Sequence, residues 1–208
     1  MAKRKSRKAA RTPPSAVGPA TVHQLKVTLR DIRPAIWRRL QVPSDATLLE
    51  LHLVLQRAFS WDDSHLHEFE GGSSRTGRVR YGIPEPDDFM TSVPVLDEAE
   101  VSLATALPAK GSRLLYRYDF GDDWKHDILV EKILAASGVA RAGCLAGRRA
   151  GPPEDCGGPW SYEDFVAALT DPNDEEHEER REWAGDFDPE AFDLAKVDAA
   201  VRAAFEGR

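Results

Sequence analysis

The sequence predicts an α+β protein: an antiparallel sheet of several strands, with one helix after the second strand and three C-terminal helices packed on it. Several segments alternate apolar and polar residues with a period of two, as strands with one buried face do. Between the second and third of these segments, and again beyond residue 160, apolar residues recur at helical spacing behind capping signals. The 208 residues suit a single domain, which we place at residues 21–206.

The first two strands are expected to form an antiparallel pair. In the first strand, Leu25, Val27 and Leu29 alternate with polar residues. After a turn that contains proline, the alternation resumes over residues 36–42, where Arg38 interrupts the apolar face. We interpret the basic residues here as solvated side chains of the strand face, although Trp37 beside them could stack on a base or another planar ligand.

A helix should follow the second strand and end near Phe59. Thr47 and Glu50 have the spacing of a capping box, in which each side chain satisfies the other residue's backbone N–H. Leu48, Leu51 and the apolar residues of the next turns recur at helical spacing and would form the buried face.

Two histidines stand close together in the third predicted strand, which we place from His65 to Glu70. His65 and His67 would share a face with Phe69, and two imidazoles at positions i and i+2 of a strand can share a metal ion. Such a pair also arises by chance. Between residues 71 and 112 the pattern indicates only a short strand at 79–82 and a helical turn at 102–106.

A β-hairpin is predicted in the middle of the chain. Residues 114–120 alternate in polarity, and the sequence Gly-Asp-Asp at 121–123 favours a turn, because glycine tolerates positive φ and aspartate can bond its own backbone. His126 falls on the apolar face of the return strand. It is therefore either a buried core histidine or a metal-binding or proton-transfer group beside Asp119 and the turn aspartates.

A loop rich in glycine and proline follows, and we expect it to lie against the hairpin. Its glycines allow the backbone to approach a neighbouring segment closely. The candidate site formed in this way comprises Asp119, Asp122, Asp123, Trp124, His126, Glu154 and Asp155. Candidate ligands for a divalent metal, with zinc as the ion considered, are His65, His67, His126, Cys144 and Cys156.

The cysteine spacing is not that of a Cys-x-x-Cys finger, and a rigid loop with one buried thiol is the alternative to a zinc site. No catalytic motif is recognisable in the hairpin or in the loop, so we assign no catalytic residue. Whether the chain is an enzyme stays open, and the balance favours a protein without catalytic activity.

Three helices are expected to close the chain. Ser161 and Asp164 would cap the first, and residues 171–173 would open a strongly acidic second helix that ends before Gly185. Residues 188–190, with proline in the first helical position, would begin the third.

Charge is unevenly distributed along the sequence. Of the 28 basic residues, six lie within residues 1–11, which contain no acidic residue, and this leaves 22 basic against 35 acidic residues elsewhere. The body should therefore repel a phosphate backbone, whereas residues 1–20 are predicted to be a disordered basic tail that binds nucleic acid or merely aids solubility. The candidate nucleic-acid contacts are Lys3, Arg4, Lys5, Arg7, Lys8, Arg38 and Arg39.

Apolar runs in the sequence fall short of the roughly 20 residues of a membrane span. The basic start lacks the apolar region of a secretory signal, and two cysteines do not make a disulfide framework. These features predict a cytoplasmic protein with no membrane partner.

Long motifs in fixed order resemble those of the plasmid pRiA4b ORF-3-like family. They are QLKVTLRDIRPAIWRRLQVP, LHLVLQRAFSWDDSHLHEFE, YDFGDDWKHDILVEKIL, CLAGRRAGPPEDCGGPWSYEDF and GDFDPEAFDL, which together span about residues 21–197. The resemblance implies a small α+β protein from a family carried partly on plasmids and transposable elements. Many members of that family carry a cysteine directly before the Pro-Pro-Glu-Asp motif, where this chain has Gly151.

Two hypotheses about function follow. The first is a non-enzymatic binding module that contacts nucleic acid or a protein partner through the hairpin and the loop, helped by the basic tail. The second is a metal-dependent hydrolase or nuclease. Its candidate residues are His65, His67, Asp119, Asp122, Asp123, His126 and Glu154.

Overall fold

The computed structural model describes residues 20–73, 77–84, 93–138 and 140–207. Its strands are β1 (Thr21–Leu29), β2 (Trp37–Pro43), β3 (His67–Ser73), β4 (Gly77–Gly82), β5 (Val95–Asp97), β6 (Arg113–Tyr118), β7 (Trp124–Ala135) and β8 (Gly143–Arg148). Its helices are α1 (Leu48–Phe59), α2 (Leu103–Ala106), α3 (Gly158–Thr170), α4 (His177–Ala184) and α5 (Leu194–Glu206).

Within the described residues, eight strands form one sheet in the order β5-β4-β3-β6-β7-β1-β2-β8. Neighbouring strands are antiparallel except for β4 and β5, which are parallel, so the prediction of a purely antiparallel sheet is wrong. β5 and β8 were not predicted. β5 has three residues, too few to show an alternation, and β8 contains Gly143 and Gly147, which weaken a strand signal.

The two faces of the sheet differ in character. Apolar residues on one face, such as Leu25 and Leu40, are fully buried and cluster with the apolar residues of α1. The opposite face carries ion pairs between strands, and Arg39 Nε lies 2.6 Å from Glu131 Oε2 across β1. Further pairs on that face are Arg30–Asp127, Arg78–Glu70 and Arg80–Glu68.

α1 spans the residues predicted for it, because its signals are local. Glu50 N donates to Thr47 Oγ1 at 3.2 Å, and Thr47 N donates to Glu50 Oε2 at 2.8 Å, which is the reciprocal capping box. Ser60 adopts a left-handed conformation with φ 65° and ends the helix. α5 packs against α1 and against β8.

The C-terminal helices begin at other residues than predicted. α3 begins at Gly158, ahead of Ser161, and its N-cap Gly157 provides no side-chain cap. α5 begins at Leu194, where the side chain of Asp193 accepts from the backbone of the third helical residue. Residues 188–190 instead form a turn in which Asp188 Oδ1 accepts from the backbone N–H two residues on, at 2.9 Å. Aspartate makes the same kind of local backbone bond in a turn as at a helix start, so Asp188 and the proline after it do not by themselves specify a helix.

Arg38, one of the predicted nucleic-acid contacts, is a buried structural cation. Only 1% of the residue is exposed. Its Nε donates to Ala58 O at 2.7 Å, and its guanidinium lies 4.9 Å from the ring centre of Phe59 and 4.7 Å from that of Phe192. Burial lowers the pKa of Arg38 to about 10, so the side chain remains charged at neutral pH.

The other predicted nucleic-acid contacts are differently placed. Arg39 donates to both carboxylate oxygens of Glu131, at 2.6 and 2.8 Å, so its guanidinium is paired with a carboxylate on the face of the sheet. Lys3, Arg4, Lys5, Arg7 and Lys8 lie outside the described residues, and their role stays a prediction.

Among the helices that the structure describes, none has the length and hydrophobicity required to cross a bilayer.

Candidate functional site

The turn of the β6–β7 hairpin lies against the glycine- and proline-rich loop that precedes α3. Gly157 N donates to Asp122 Oδ2 at 3.0 Å, and Tyr118 Oη donates to Glu154 Oε1 at 3.0 Å. Gly158 approaches Asp122 so closely that a Cβ at this position would lie 2.3 Å from the Asp122 carbonyl oxygen. The contact therefore depends on the absence of a side chain at Gly158.

The end of α1 contacts the same loop. Trp61 Nε1 donates to Pro152 O at 2.8 Å, and Asp62 N donates to Glu154 Oε1 at 3.1 Å. Three segments that are far apart in the sequence therefore meet at Glu154.

Gly151 is the tightest point of this contact, and we expect Gly151→Ala to lower the free energy of unfolding by about 2–3 kcal/mol. A Cβ at Gly151 would lie 2.0 Å from Phe59 O, so the loop would have to move away from α1. Urea denaturation would measure the loss. Gly82→Ala is the matched control, because a Cβ at Gly82 meets its nearest atoms at 3.6 Å; a loss at Gly151 no larger than at Gly82 would contradict the prediction.

An imidazole and several carboxylates converge where the three segments meet. His65 Nε2 lies 3.0 Å from Asp155 Oδ1, 3.7 Å from Asp119 Oδ2 and 3.9 Å from Glu154 Oε2. This nitrogen is buried and makes no hydrogen bond of normal geometry. Ligand atoms of His65, Asp119 and Asp155 lie within 4.8 Å of one another, and we refer to these three residues as the His65 group.

The backbone positions both aspartates of the His65 group. Asp119 has φ 53° and Asp155 has φ 58°, left-handed conformations that aspartate tolerates better than most residues. Asp119 Oδ1 accepts from the backbone N–H groups of Gly121, at 2.9 Å, and Asp122, at 3.3 Å. These two bonds hold one carboxylate oxygen in the turn and leave the other oriented toward His65.

Glu154 borders the His65 group and is partly shielded from solvent. Burial raises the pKa of its carboxyl group, against the opposing effect of its hydrogen bonds from Asp62 N and Tyr118 Oη. Burial also raises the pKa of Tyr118 to about 12, so this phenol stays protonated and donates a hydrogen bond to Glu154. A carboxylate whose pKa is raised in this way is better suited to accept a proton than an exposed one.

A second polar cluster lies deeper, between α1 and β3. The His52 and His67 rings stack with centroids 3.5 Å apart and an interplanar angle of 5°. His52 Nε2 lies 2.8 Å from Asp63 Oδ1, and His67 Nε2 lies 3.0 Å from both carboxylate oxygens of Glu98. We refer to these four residues as the His52 group.

His126 belongs to neither group. Its ring lies among the aromatic side chains of Phe59, Trp61 and Tyr116, with ring centroids 4.6, 5.2 and 5.4 Å away. Neither ring nitrogen makes a hydrogen bond of normal geometry, although the Tyr116 backbone is close enough to oppose the effect of burial. Burial lowers the pKa of His126 to about 3, so this ring is neutral within the aromatic core at neutral pH.

The remaining members of the predicted site are dispersed. Asp123 pairs with Arg117 and Lys125 on the opposite face of the sheet. Trp124 is buried and packs edge-on against Tyr162, with ring centroids 6.3 Å apart. Asp123 lies in the turn just before β7, whereas Trp124 begins β7 opposite Tyr118 and its side chain is buried in the core.

The predicted zinc ligands also separate. His65 and His67 enter different groups, because β3 begins at His67 and the strand pleat does not position His65. Neither of the two metal-compatible sets found among the described residues contains Cys144 or Cys156. Cys144 Sγ contacts Ala146 O at 3.6 Å, and burial together with Asp122 raises the pKa of the Cys156 thiol to about 12.

Three residues of the His52 group were not predicted. His52 interrupts the apolar face of α1 one turn after Leu48, and this interruption was a usable signal. Asp63 and Glu98 lie in segments without a periodic pattern, so the sequence offered no comparable indication for either of them.

Comparisons with known proteins agree with one another. The sequence profile of the family described as "Plasmid pRiA4b ORF-3-like protein" matches residues 21–196. The "Uncharacterized protein y4hQ" of Sinorhizobium fredii (strain NBRC 101917 / NGR234) is 40% identical over 185 residues, which cover 88% of this chain and 91% of that protein. The crystal structure of the protein of unknown function MM3350 from Methanosarcina mazei Go1 superposes with a TM-score of 0.77 at 40% identity, covering 86% of this chain and 99% of that one.

Proposed function

The chain belongs to the plasmid pRiA4b ORF-3-like family, and we propose that it is a binding module for a divalent cation, which the His65 group holds. One observation carries the proposal. His65 Nε2 is buried without a hydrogen bond, although carboxylate oxygens of Asp155 and Asp119 lie 3.0 and 3.7 Å away. Imidazole and carboxylate together form a donor set that zinc and similar borderline ions accept.

The surroundings of the group suit an ion that remains accessible from solvent. The Asp155 side chain is 71% exposed, whereas the Asp119 side chain is 12% exposed. Three protein ligands would leave at least one coordination position open on the exposed side. A carboxylate or phosphate group of a binding partner could occupy that position, which gives the proposed module a way to recognise an anionic partner despite its acidic body.

Zinc titration of the chelator-treated, full-length protein would test the proposal. We expect Asp119→Asn to weaken zinc binding about 100-fold, because the amide keeps the oxygen that accepts from Gly121 N but removes the negative charge beside His65. Isothermal titration calorimetry would measure the affinity, and His65→Ala should give a similar loss.

Asp45→Asn is the matched control, because Asp45 is an exposed turn residue that belongs to neither group. Equal zinc affinity for Asp119→Asn and Asp45→Asn would contradict the proposal. Binding that survives both Asp119→Asn and His65→Ala would place the ion elsewhere.

A metal-assisted hydrolase is the second candidate, and Glu154 favours it. This carboxylate lies 3.9 Å from His65 Nε2, has a raised pKa, and is held by Tyr118 Oη, so it could accept a proton from a water molecule next to the ion. With bis(p-nitrophenyl) phosphate as the probe, Glu154→Gln should lower zinc-dependent hydrolysis about 100-fold while zinc affinity changes little. Hydrolysis by the unmodified protein no faster than by Asp119→Asn would eliminate this candidate.

A further inference from the structure

A cavity of about 490 Å³ lies between the end of α1, the glycine- and proline-rich loop and the start of α5. Arg38 reaches it from the sheet. Its wall is largely apolar and includes Trp61, Phe187, Phe192 and Val197. A concave, mostly apolar space of this size, with a small number of polar groups, is typical of a small-molecule site. The three residues of the His65 group do not line it, so it is separate from the proposed cation site.

The guanidinium of Arg38 brings to this cavity a positive charge that no carboxylate balances. Nε donates to Ala58 O at 2.7 Å, and Nη1 donates to Trp37 O and Arg148 O at 2.9 and 3.1 Å. Within the part of the chain that the structure describes, Nη2 makes no hydrogen bond and no carboxylate forms an ion pair with Arg38. Since only 1% of the residue is exposed, water screens this charge poorly, and an anion next to Nη2 would stabilise it.

The exposed rim of the cavity restricts the kind of anion that can enter. Two further cations and four carboxylates line the rim: Arg57, Lys196, Asp62, Asp186, Asp188 and Asp193. With Arg38 included, three positive charges face four negative ones. A phosphate or another multiply charged anion would therefore be repelled at the entrance, whereas a single carboxylate meets little net charge before it reaches the guanidinium.

We propose that this cavity binds a small monocarboxylic acid with an apolar body. The carboxylate accepts hydrogen bonds from the two N–H groups of Arg38 Nη2, and the body packs against Phe187 and Phe192. A guanidinium suits this role, because it stays charged and donates strongly to carboxylate oxygens even where water is scarce. Free amino acids with apolar side chains carry the same carboxylate and body and are a second source of this chemistry. The proposal does not rest on cation binding by the His65 group.

Titration of the full-length protein with hydrocinnamate, followed by heteronuclear NMR, tests the proposal. We expect the backbone N–H signals of Gly151 and Ala191 to shift, and we expect hydrocinnamate to bind about tenfold more tightly than the neutral hydrocinnamide. Equal affinities for the acid and the amide, or no shift at these two residues, would overturn the proposal. L-Phenylalanine distinguishes the two sources: binding tighter than that of hydrocinnamate indicates an amino acid, and weaker binding indicates a simple acid.

Two adjacent residues of α5 provide a matched pair of variants. Ala200 lines the cavity, whereas its neighbour Ala199 is exposed and does not. Phenylalanine at the first position would fill part of the space that the apolar body needs. Ala200→Phe should therefore weaken hydrocinnamate binding about tenfold, and Ala199→Phe should leave it unchanged. Equal losses in the two variants would show that the ligand does not occupy the cavity.

The role of Arg38 can be tested without replacing it, which matters because its removal disturbs the fold. The double variant Arg57→Gln with Lys196→Gln removes the two exposed cations and leaves Arg38 as the only cation of the lining. Hydrocinnamate affinity should fall by about twofold, because exposed charges are screened, and the preference for the acid over the amide should persist. Loss of that preference would place the carboxylate at the rim and overturn the assignment to Arg38.

Discussion

Replacing Arg38 by alanine is expected to lower the free energy of unfolding by about 3–5 kcal/mol. The guanidinium donates to the carbonyl oxygens of Ala58, Trp37 and Arg148, and it links the end of α1 to the β2–β8 edge of the sheet. Alanine would leave these carbonyls without their charged donor and would open a cavity between two aromatic rings. Urea denaturation of the variant, followed by circular dichroism, would measure the change.

Arg39→Ala is the matched control for this prediction. Arg39 is the next residue in β2, but it points to the opposite face, where about a third of its side chain is exposed and it pairs with Glu131. Removing a partly exposed ion pair of this kind costs about 1 kcal/mol or less. A loss for Arg38→Ala no greater than that for Arg39→Ala would show that the buried guanidinium does not hold α1 to the sheet.

Acidification from pH 6.5 to pH 5 is expected to destabilise the protein by about 1.6 kcal/mol in total through His126 alone. The unfolded chain takes up a proton at His126 near its ordinary pKa of 6.5, whereas the folded chain does so only near pH 3. The unfolded state therefore binds more protons across this interval, and the free energy of unfolding falls as the pH falls. Burial is the main cause; among nearby charges Arg38 acts in the same direction and Asp127 opposes it.

The variant His126→Leu isolates this contribution. Leucine fills the aromatic surroundings of the ring without titrating, so the dependence of stability on pH between 6.5 and 5 should become shallower by about 1.1 kcal/mol per pH unit on average. His52, whose pKa is lowered to about 4, would account for a remaining slope in the same direction. Urea denaturation at several pH values gives both slopes, and an unchanged slope in His126→Leu would mean that His126 is not held neutral in the fold.

Elements with local signals could be predicted from the sequence, and elements defined by distant contacts could not. The capping box of Thr47 and Glu50 specifies α1 within a few residues, and the period-two pattern locates both strands of the hairpin. Arg38 shows the limit. Its position on the apolar face was visible, but the rings of Phe59 and Phe192 that enclose it come from elsewhere in the chain.

The candidate site was predictable to a similar degree. Asp119, Glu154 and Asp155 follow from the expectation that the hairpin and the loop meet, and the structure brings all three next to His65. His67 was assigned to the same ion as His65 because both were placed in one regular strand. A shift of the strand start by two residues, which alternation alone does not resolve, is sufficient to separate them.

The ion pairs on the opposite face of the sheet have a consequence for how this protein meets other molecules. Arginines there neutralise the carboxylates of Asp127, Glu131, Glu68 and Glu70, so that face contributes little to the net charge of −7. Residues 171–193 contain eleven acidic and two basic residues. Negative charge is therefore concentrated around α4. A cationic molecule that diffuses toward the protein would be steered to this segment first, at a rate that falls as salt is added.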